Sequence, residues 1–248
     1  MDLNKIFLKN ACPTSIGGQA IMEGIMMRGP EKTAVAVRLA DGSIHMKTQP
    51  TPKMNRWAKV PLIRGVVNFV SSMIQGTKVL MYSADVLEEN YPDEYEKDKF
   101  DIWMEEKFGK EKAWKVLMAF SVLIAIVLAV SIFMLLPTVV VGWLSAVTDS
   151  IILLNLAEGV VRMIIFIGYI LLISKMKDIR TVFEYHGAEH KTIHCFENNL
   201  ELTPENAQQF YTLHPRCGTS FLMFVMVIAV LAHALMGWPN VWIRIISR

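Results

Sequence analysis

The chain has 248 residues, of which 53% are hydrophobic and 19% charged, with a net charge of +2. That is too apolar for an ordinary soluble domain and too charged for a bare bundle of membrane helices, so it reads as a membrane protein with polar parts. A near-neutral balance, without a basic patch interleaved with aromatic side chains, excludes nucleic acid as a partner.

Residues 1–54 form an N-terminal unit. Thr33–Leu39 and Ser43–Thr48 flank Asp41-Gly42, a strong hairpin signal. The preceding segment, Gly17–Pro30, is glycine-rich but lacks phosphate-loop spacing and a Gly-Lys-Ser/Thr ending. Its glycines are expected to permit tight turns or close backbone approaches that present Glu23 and Arg28. Residues 55–115 follow. From Leu62 to Tyr82 the pattern is helical, with Arg64, Asn68, Ser71, Gln75, Lys78 and Tyr82 on one side. Ile63, Val67, Val70, Ile74 and Met81 line the other. Such a helix lies in the membrane interface, packs on a transmembrane bundle, or packs inside a cytosolic domain. Asp85–Lys115 holds 11 of the 23 acidic residues and reads as a solvated helix or linker, with Trp103 and Trp114 near the interface.

Three apolar runs have the length of a bilayer crossing. Val116–Leu136 contains 21 residues, about 31 Å as a helix. Ile151–Ile173 is interrupted by Asn155, Glu158 and Arg162, and Thr219–Trp238 ends at an interfacial Trp238-Pro239. Glu158 and Arg162 stand at i, i+4 in the favourable order, and their pairing is expected to fix the geometry of the bundle. Residues 116–174 thus hold two transmembrane helices and residues 219–248 a third. The first run lies far from the N-terminus, so no cleaved secretory signal is expected. Lys97, Lys99, Lys107, Lys110, Lys112 and Lys115 precede the first span, and Lys175, Lys177, Arg180 and Lys191 follow the second. The connection 137–150 has neither Lys nor Arg. The positive-inside rule therefore places 175–218 in the cytoplasm and 137–150 outside, in a bacterial cytoplasmic membrane crossed several times.

The segment 175–218 carries the chemistry. His186-Gly-Ala-Glu189-His190 puts two imidazoles on one helix face, roughly 6 Å apart, within reach of one metal ion. H-x-x-E-H is also the inverted zinc-hydrolase order, in which the glutamate handles the proton of the attacking water. Thr181–Glu184 has the form of a capping box, so a helix is expected to begin near Val182. At helical pitch His194 and Glu197 join the stripe. A hydrogen-bonded polar face is the plain alternative. Thr203-Pro204-Glu205 then opens a short helix by the N-cap and Pro-at-N1 rule. It closes before His214-Pro-Arg216-Cys217-Gly-Thr219, which adds an imidazole, a guanidinium and a thiol. A ligand from this cluster would complete a site across a loop; a buried thiol at a helix start is the alternative. Three cysteines (Cys12, Cys195, Cys217) are an odd number and do not suggest a disulfide framework on the cytoplasmic side.

Gly17–Pro30, Tyr185–Ile193 and His214–Phe221 together resemble the YqhQ-like family of bacterial membrane proteins, with Arg64-Gly65 and Asn155/Glu158/Arg162 fitting the same pattern. The resemblance implies a predicted metal-dependent enzyme and leaves its reaction open. It directs attention to Glu23, Arg28, His186, Glu189, His190, Glu197, His214, Arg216 and Cys217. Family members continue beyond the point matching Arg248, so a truncated chain is expected.

The fold expected is mainly α: a polytopic membrane protein with about three transmembrane helices, a small N-terminal β-hairpin unit and a cytoplasmic helical motif segment. The function expected is a membrane-embedded, metal-dependent hydrolase. His186 and His190 would hold a divalent ion, zinc by ligand type, with Glu197, His194, His214 or Cys217 as a further ligand. Glu189 would accept a proton, and Arg28 or Arg216 would bind an anionic group, with Glu23 beside them. Expected partners are the lipid bilayer, a small-molecule, peptide or lipid substrate, and a homo-oligomeric second copy. The competing class is a metal-stabilised membrane scaffold or a component of a transport assembly. A closed four-ligand site would favour the scaffold, and three ligands with an open position a catalyst.

Overall fold

The structure is a computed structural model that describes residues 12–52, 60, 63–91 and 99–234. Trp238-Pro239 and Arg248, on which two expectations rest, lie outside the described residues, as does the side chain of Trp114. The chain is mainly helical, with an N-terminal antiparallel sheet, and divides into two compact units. One comprises Met1–Tyr95 with Ser174–Cys217; the other comprises Glu96–Ile173 with Gly218–Arg248.

The first unit is built on a four-stranded meander: β1 (Gly17–Ile21), β2 (Gly24–Arg28), β3 (Lys32–Arg38) and β4 (Ile44–Pro50). The hairpin expected around Asp41-Gly42 joins β3 to β4, with Asp41 Oδ1 accepting from the Ser43 amide at 2.9 Å. The glycine-rich segment is not a run of turns. It makes a second hairpin, closed by Met22-Glu23, in which Glu23 takes a left-handed φ of 48°. Glycines masked its strand character, because they carry no side chains to alternate.

Register assigns the faces. Gly17 pairs with Arg28, Gln19 with Met26 and Ile21 with Gly24, and these continue to Thr33, Val35 and Val37. This face packs on α1 (Ile63–Asn90), where Ile21, Met26, Val35 and Val37 meet Val79, Val86 and Leu87. Helix α1 is longer than expected: residues 85–90 complete it rather than open a linker. Its buried side is Gly76, Val79, Ser83, Val86 and Leu87, whereas Ile63, Val70 and Ile74 are exposed. The other face of β1 and β2, carrying Gly18 and Ala20, receives α6 (Lys177–Glu197). The sheet therefore lies between α1 and α6.

The second unit contains α2 (Lys99–Phe108), α3 (Lys110–Val130), a π-helical turn at Ser131–Leu135, α4 (Leu136–Leu144), α5 (Ile151–Ile173) and α8 (Gly218–Ala234). Pro137 has no N–H for the Phe133 carbonyl, and the helix loosens into the wide turn just before it. Helix continues to Leu144, so the connection to α5 is shorter than 137–150. Ala119–Leu144 (26 residues) and Ile151–Ile173 (23 residues) are long and apolar enough to cross a membrane. Helix α8 has 17 described residues and is apolar but shorter. Glu158, 1% exposed, lies 3.3 Å from Arg162 and accepts from Thr138 Oγ1 at 3.2 Å, tying α5 to α4 across the π turn.

Ile21→Ala should destabilise the first unit by about 2–5 kcal/mol, because it empties a fully buried site between sheet and helix. Met46→Ala, at an exposed position of β4, should stay within about 0.5 kcal/mol. Chemical denaturation of the two variants checks both; equal midpoints would contradict the packing described.

Candidate metal centre

Helix α6 is unusual in burying its polar side. Glu189, His190, His194 and Glu197 are all buried, together with Ile193 and Cys195. The helix begins at Lys177, not near Val182, and its N-cap, Met176, offers no side-chain hydrogen bond. The Thr181–Glu184 capping box is therefore interior. Thr181 Oγ1 bonds back to the Lys177 carbonyl at 3.1 Å, and Glu184 pairs with Arg180 at 3.0 Å.

The i, i+4 spacing brings the rings of His186 and His190 to 4.3 Å between centroids. After α7 (Pro204–Gln208), capped by Thr203 as expected, residues 212–217 run back along α6. The approach is close: a Cβ on Gly187 would stand 2.9 Å from Thr212 Cγ2. His190 Nδ1–H donates to the Thr212 carbonyl at 2.5 Å, which leaves Nε2 as the lone-pair nitrogen. His186 Nδ1 faces Glu189 Oε2 at 3.4 Å, while its Nε2 faces Cys217 Sγ at 3.3 Å. Donor atoms of His186, His190 and Cys217 all fall within 4.8 Å of one another, a spacing one divalent ion can span. Among the described residues no fourth His, Cys, Asp or Glu joins this group.

Glu189 is 3% exposed and lies against β1, where a Cβ on Gly18 would come within 2.8 Å of its carboxylate. Its Oε2 accepts no hydrogen bond among the described residues. The other residues expected at the site have separate partners. Glu197 Oε1 accepts from the Thr14 amide at 2.7 Å, from the Thr14 hydroxyl at 2.9 Å and from Arg216, whose guanidinium also bonds the Thr14 carbonyl. His194 Nε2 lies 2.9 Å from the Leu213 carbonyl, and His214 Nδ1 accepts from the Arg216 amide at 3.2 Å. His194 and His214 still touch the group through ring contacts of 4.7 Å with each other and 5.4 Å from His214 to His190. Glu23 sits on the β1–β2 turn, exposed, 3.5 Å from the Tyr185 hydroxyl. Arg28 bonds Gln75 on the opposite face of the sheet. Gly18 makes the close approach expected of its glycine-rich segment, whereas Thr14, Thr212 and Leu213 escaped sequence reasoning. Two of them contribute only backbone carbonyls, which leave no trace in side-chain pattern.

The electrostatics follow the geometry. The Glu189 carboxylate, against the opposition of burial and with help from Cys217, lifts His186 to about 9. Burial pushes His190 down despite the Thr212 carbonyl. Burial and then the neighbouring charges of His194 and Arg216 hold His214 down to about 4. Burial raises Glu197, but the Thr14 amide, Arg216 and the Thr14 hydroxyl outweigh it, and the carboxyl ends below its ordinary value.

Residues 60–248 match the family described as "Protein of unknown function (DUF1385)". The chain is 34% identical over 247 residues to "Uncharacterized protein YqhQ" of Bacillus subtilis (strain 168), covering 97% of this chain and 75% of that protein. No solved structure matches the chain.

Two pH limbs follow for the metal-free protein. His214 and His190 titrate below the ordinary 6.5 when folded, so their contribution is complete above that value and is lost as pH falls from about 6.5 to 4. His186 is the reverse: its contribution is complete below 6.5 and is lost as pH rises through about 9. Melting temperature against pH should fall on both sides, and His214→Asn should flatten the acid limb alone. An unchanged acid limb in that variant would contradict the assignment.

Proposed function

This chain belongs to the DUF1385 family, and we propose that it is a membrane-embedded, metal-dependent hydrolase. In this reading one zinc-like divalent ion is held by His186, His190 and Cys217 on the cytoplasmic side. The observation that carries the reading is the division of labour at the rings. His190 spends Nδ1 on the Thr212 carbonyl, His186 sets Nδ1 3.4 Å from Glu189 Oε2, and the ligand atoms of both rings lie within 4.8 Å of the Cys217 thiol. Metal-binding histidines are oriented in this way, by an acceptor on the far nitrogen. Three protein ligands with no fourth among the described residues favour an open, reactive position over a closed structural one.

When bound, such an ion polarises a carbonyl or phosphoryl oxygen and lowers the pKa of water. The chain's own residues do the rest. Glu189 Oε2 lies 3.4 Å from His186 Nδ1 and is the carboxylate nearest the centre for proton transfer. Thr212 fixes the tautomer of His190. His194 and His214 wall the site, held by the Leu213 carbonyl and the Arg216 amide. A groove of about 820 Å³ runs beside the centre, with Gly187 and Thr212 next to the two ligand histidines and Lys175, Arg180 and Lys191 in its rim. It has the size and charge for a peptide or lipid substrate with an anionic portion.

The membrane arrangement is part of the proposal. Helices Ala119–Leu144 and Ile151–Ile173 cross the bilayer, the run beginning at Gly218 makes a third crossing, and lysine asymmetry keeps Ser174–Cys217 inside.

Metal analysis of purified full-length protein should give about one zinc-like ion per chain, with the His186→Ala/His190→Ala variant losing it while still inserting. Glu189→Gln should weaken metal binding by roughly 10 to 100-fold if the carboxylate braces His186. If it acts solely as proton acceptor, metal content should hold while hydrolysis of a peptide, ester and phosphodiester panel drops by about 10² to 10⁴-fold. Metal in the wild type and the double-histidine variant alike would sink the reading. A chelator-insensitive panel with a full metal complement would assign the ion to a scaffold.

For topology, Ser145→Cys in intact cells should react with an impermeant thiol reagent. A protected Ser145→Cys with labelling of Cys217 would invert the orientation.

A further inference from the structure

The metal centre uses the α6 face of the sheet. On the α1 face the same strands border a cavity of about 540 Å³ that none of His186, His190, Glu189 and Cys217 lines. Ser15, Gly18, Arg28, Thr51 and Gln75 are among its walls, and among the described residues Arg28 is the sole ionisable side chain in that lining. The register explains why the charge is there. Arg28 pairs with Gly17 and Thr33, on the same side as the apolar Met26 and Val35, so the guanidinium emerges at the end of the core rather than into open solvent.

Arg28 has no compensating carboxylate among the described residues. Among the described residues its hydrogen bond runs from Nη1 to Gln75 Oε1 at 2.8 Å. That bond uses the acceptor of the Gln75 amide and leaves the donor: Gln75 Nε2 is buried and has no hydrogen-bond partner among the described residues. A second potential acceptor is engaged as well, since the Thr51 hydroxyl bonds the Gly29 carbonyl at 2.9 Å and sits 3.0 Å from the Thr33 hydroxyl. The cavity wall therefore presents a half-buried cation with no anion beside it among the described residues, backed by an amide nitrogen that is closed off from the cavity. An anion entering the cavity would meet the remaining N–H groups of the guanidinium. A guanidinium offers five N–H groups in a planar fork suited to carboxylate or phosphate.

We propose that this cavity binds an oxyanion-bearing ligand, a phosphate or carboxylate group held by Arg28, whose guanidinium Gln75 orients, at a site separate from the metal centre. The volume leaves room for more than the oxyanion itself, which fits a small organic anion or an anionic lipid headgroup. Gly18 is the partition: it lines the cavity on one side and meets the Glu189 carboxylate on the other.

The test uses purified full-length protein in detergent, with three labelled probes: inorganic phosphate, citrate, and phosphatidylglycerol in mixed micelles against a phosphatidylcholine control. At least one probe should bind saturably to the wild type. Phosphate or citrate would identify a soluble ligand; phosphatidylglycerol alone would identify a headgroup. Arg28→Gln should weaken binding at least tenfold, Arg28→Lys less, and Gln75→Glu at least as much as Arg28→Gln by setting a carboxylate beside the guanidinium. The His186→Ala/His190→Ala variant should bind as the wild type does, which separates this site from the metal reading. No saturable binding of any probe to the wild type overturns the proposal without recourse to a variant. Undiminished binding in Arg28→Gln or in Gln75→Glu overturns it equally.

Discussion

Helix α6 turns its carboxylates and imidazoles inward, and the rest of the first unit is arranged to satisfy them. An unpaired carboxylate or imidazole in that position would cost several kcal/mol. The chain meets the cost with partners distant in sequence. Thr14 and Arg216 close on Glu197 from 183 and 19 residues away. Backbone carbonyls of Thr212 and Leu213 receive His190 and His194. Gly18 makes room for Glu189 against the sheet. Among the described residues only the cluster of His186, His190 and Cys217 has potential ligand atoms this close together, and His186 remains half-exposed there.

The same layout explains how far the sequence could be read. Local periodicity was enough for the His186/His190 pair, for the β3–β4 hairpin at Asp41-Gly42 and for the Thr203 cap, because each depends on residues within a few positions of one another. The start of α6 was misread because Thr181–Glu184 satisfies the capping pattern, yet Thr181 Oγ1 returns to the Lys177 carbonyl inside an established helix. The β1–β2 hairpin was invisible for a different reason. Gly17, Gly18 and Gly24 contribute no alternation, and the feature that fixes the strand, its fit between α1 and α6, is tertiary. Glu197 shows the limit most clearly. Its spacing from His190 and His194 suggests a ligand, but a salt link to Arg216 and hydrogen bonds from Thr14, 183 residues away, commit it elsewhere.

A second buried charge pair organises the other unit by different means. Glu158 and Arg162 are one helical turn apart on α5, and Thr138 reaches Glu158 from α4, beyond the π turn. An ion pair inside an apolar helix bundle gains little net stability over apolar packing, but it penalises any register that separates its members. That favours the structural reading of the pair: it fixes how α4 meets α5, and Pro137 fixes where the helix before α4 loosens. The two units thus use buried polarity in opposite ways. In one it locks helix against helix, and in the other it leaves donor atoms facing a shared point.

The sheet of the first unit gives this contrast its consequence. It is thin, four short strands, and each face carries different chemistry: His186, His190 and Cys217 beyond Gly18 on the α6 side, Arg28 and Gln75 beneath α1 on the other. A side chain at position 18 would meet the Met26 carbonyl at 2.7 Å and the Glu189 carboxylate at 2.8 Å, so the glycine is required by this close packing rather than by backbone conformation. Because direct cross-strand partners share a face, a one-residue slip of β1 against β2 would bring position 18 to the same face as Arg28. Specifying that register is therefore the task of the apolar residues Ile21, Met26, Val35 and Val37, which cannot leave the α1 face without exposing themselves to water. The hydrophobic core of this unit does more than hold the sheet: it sets which chemistry appears on which face.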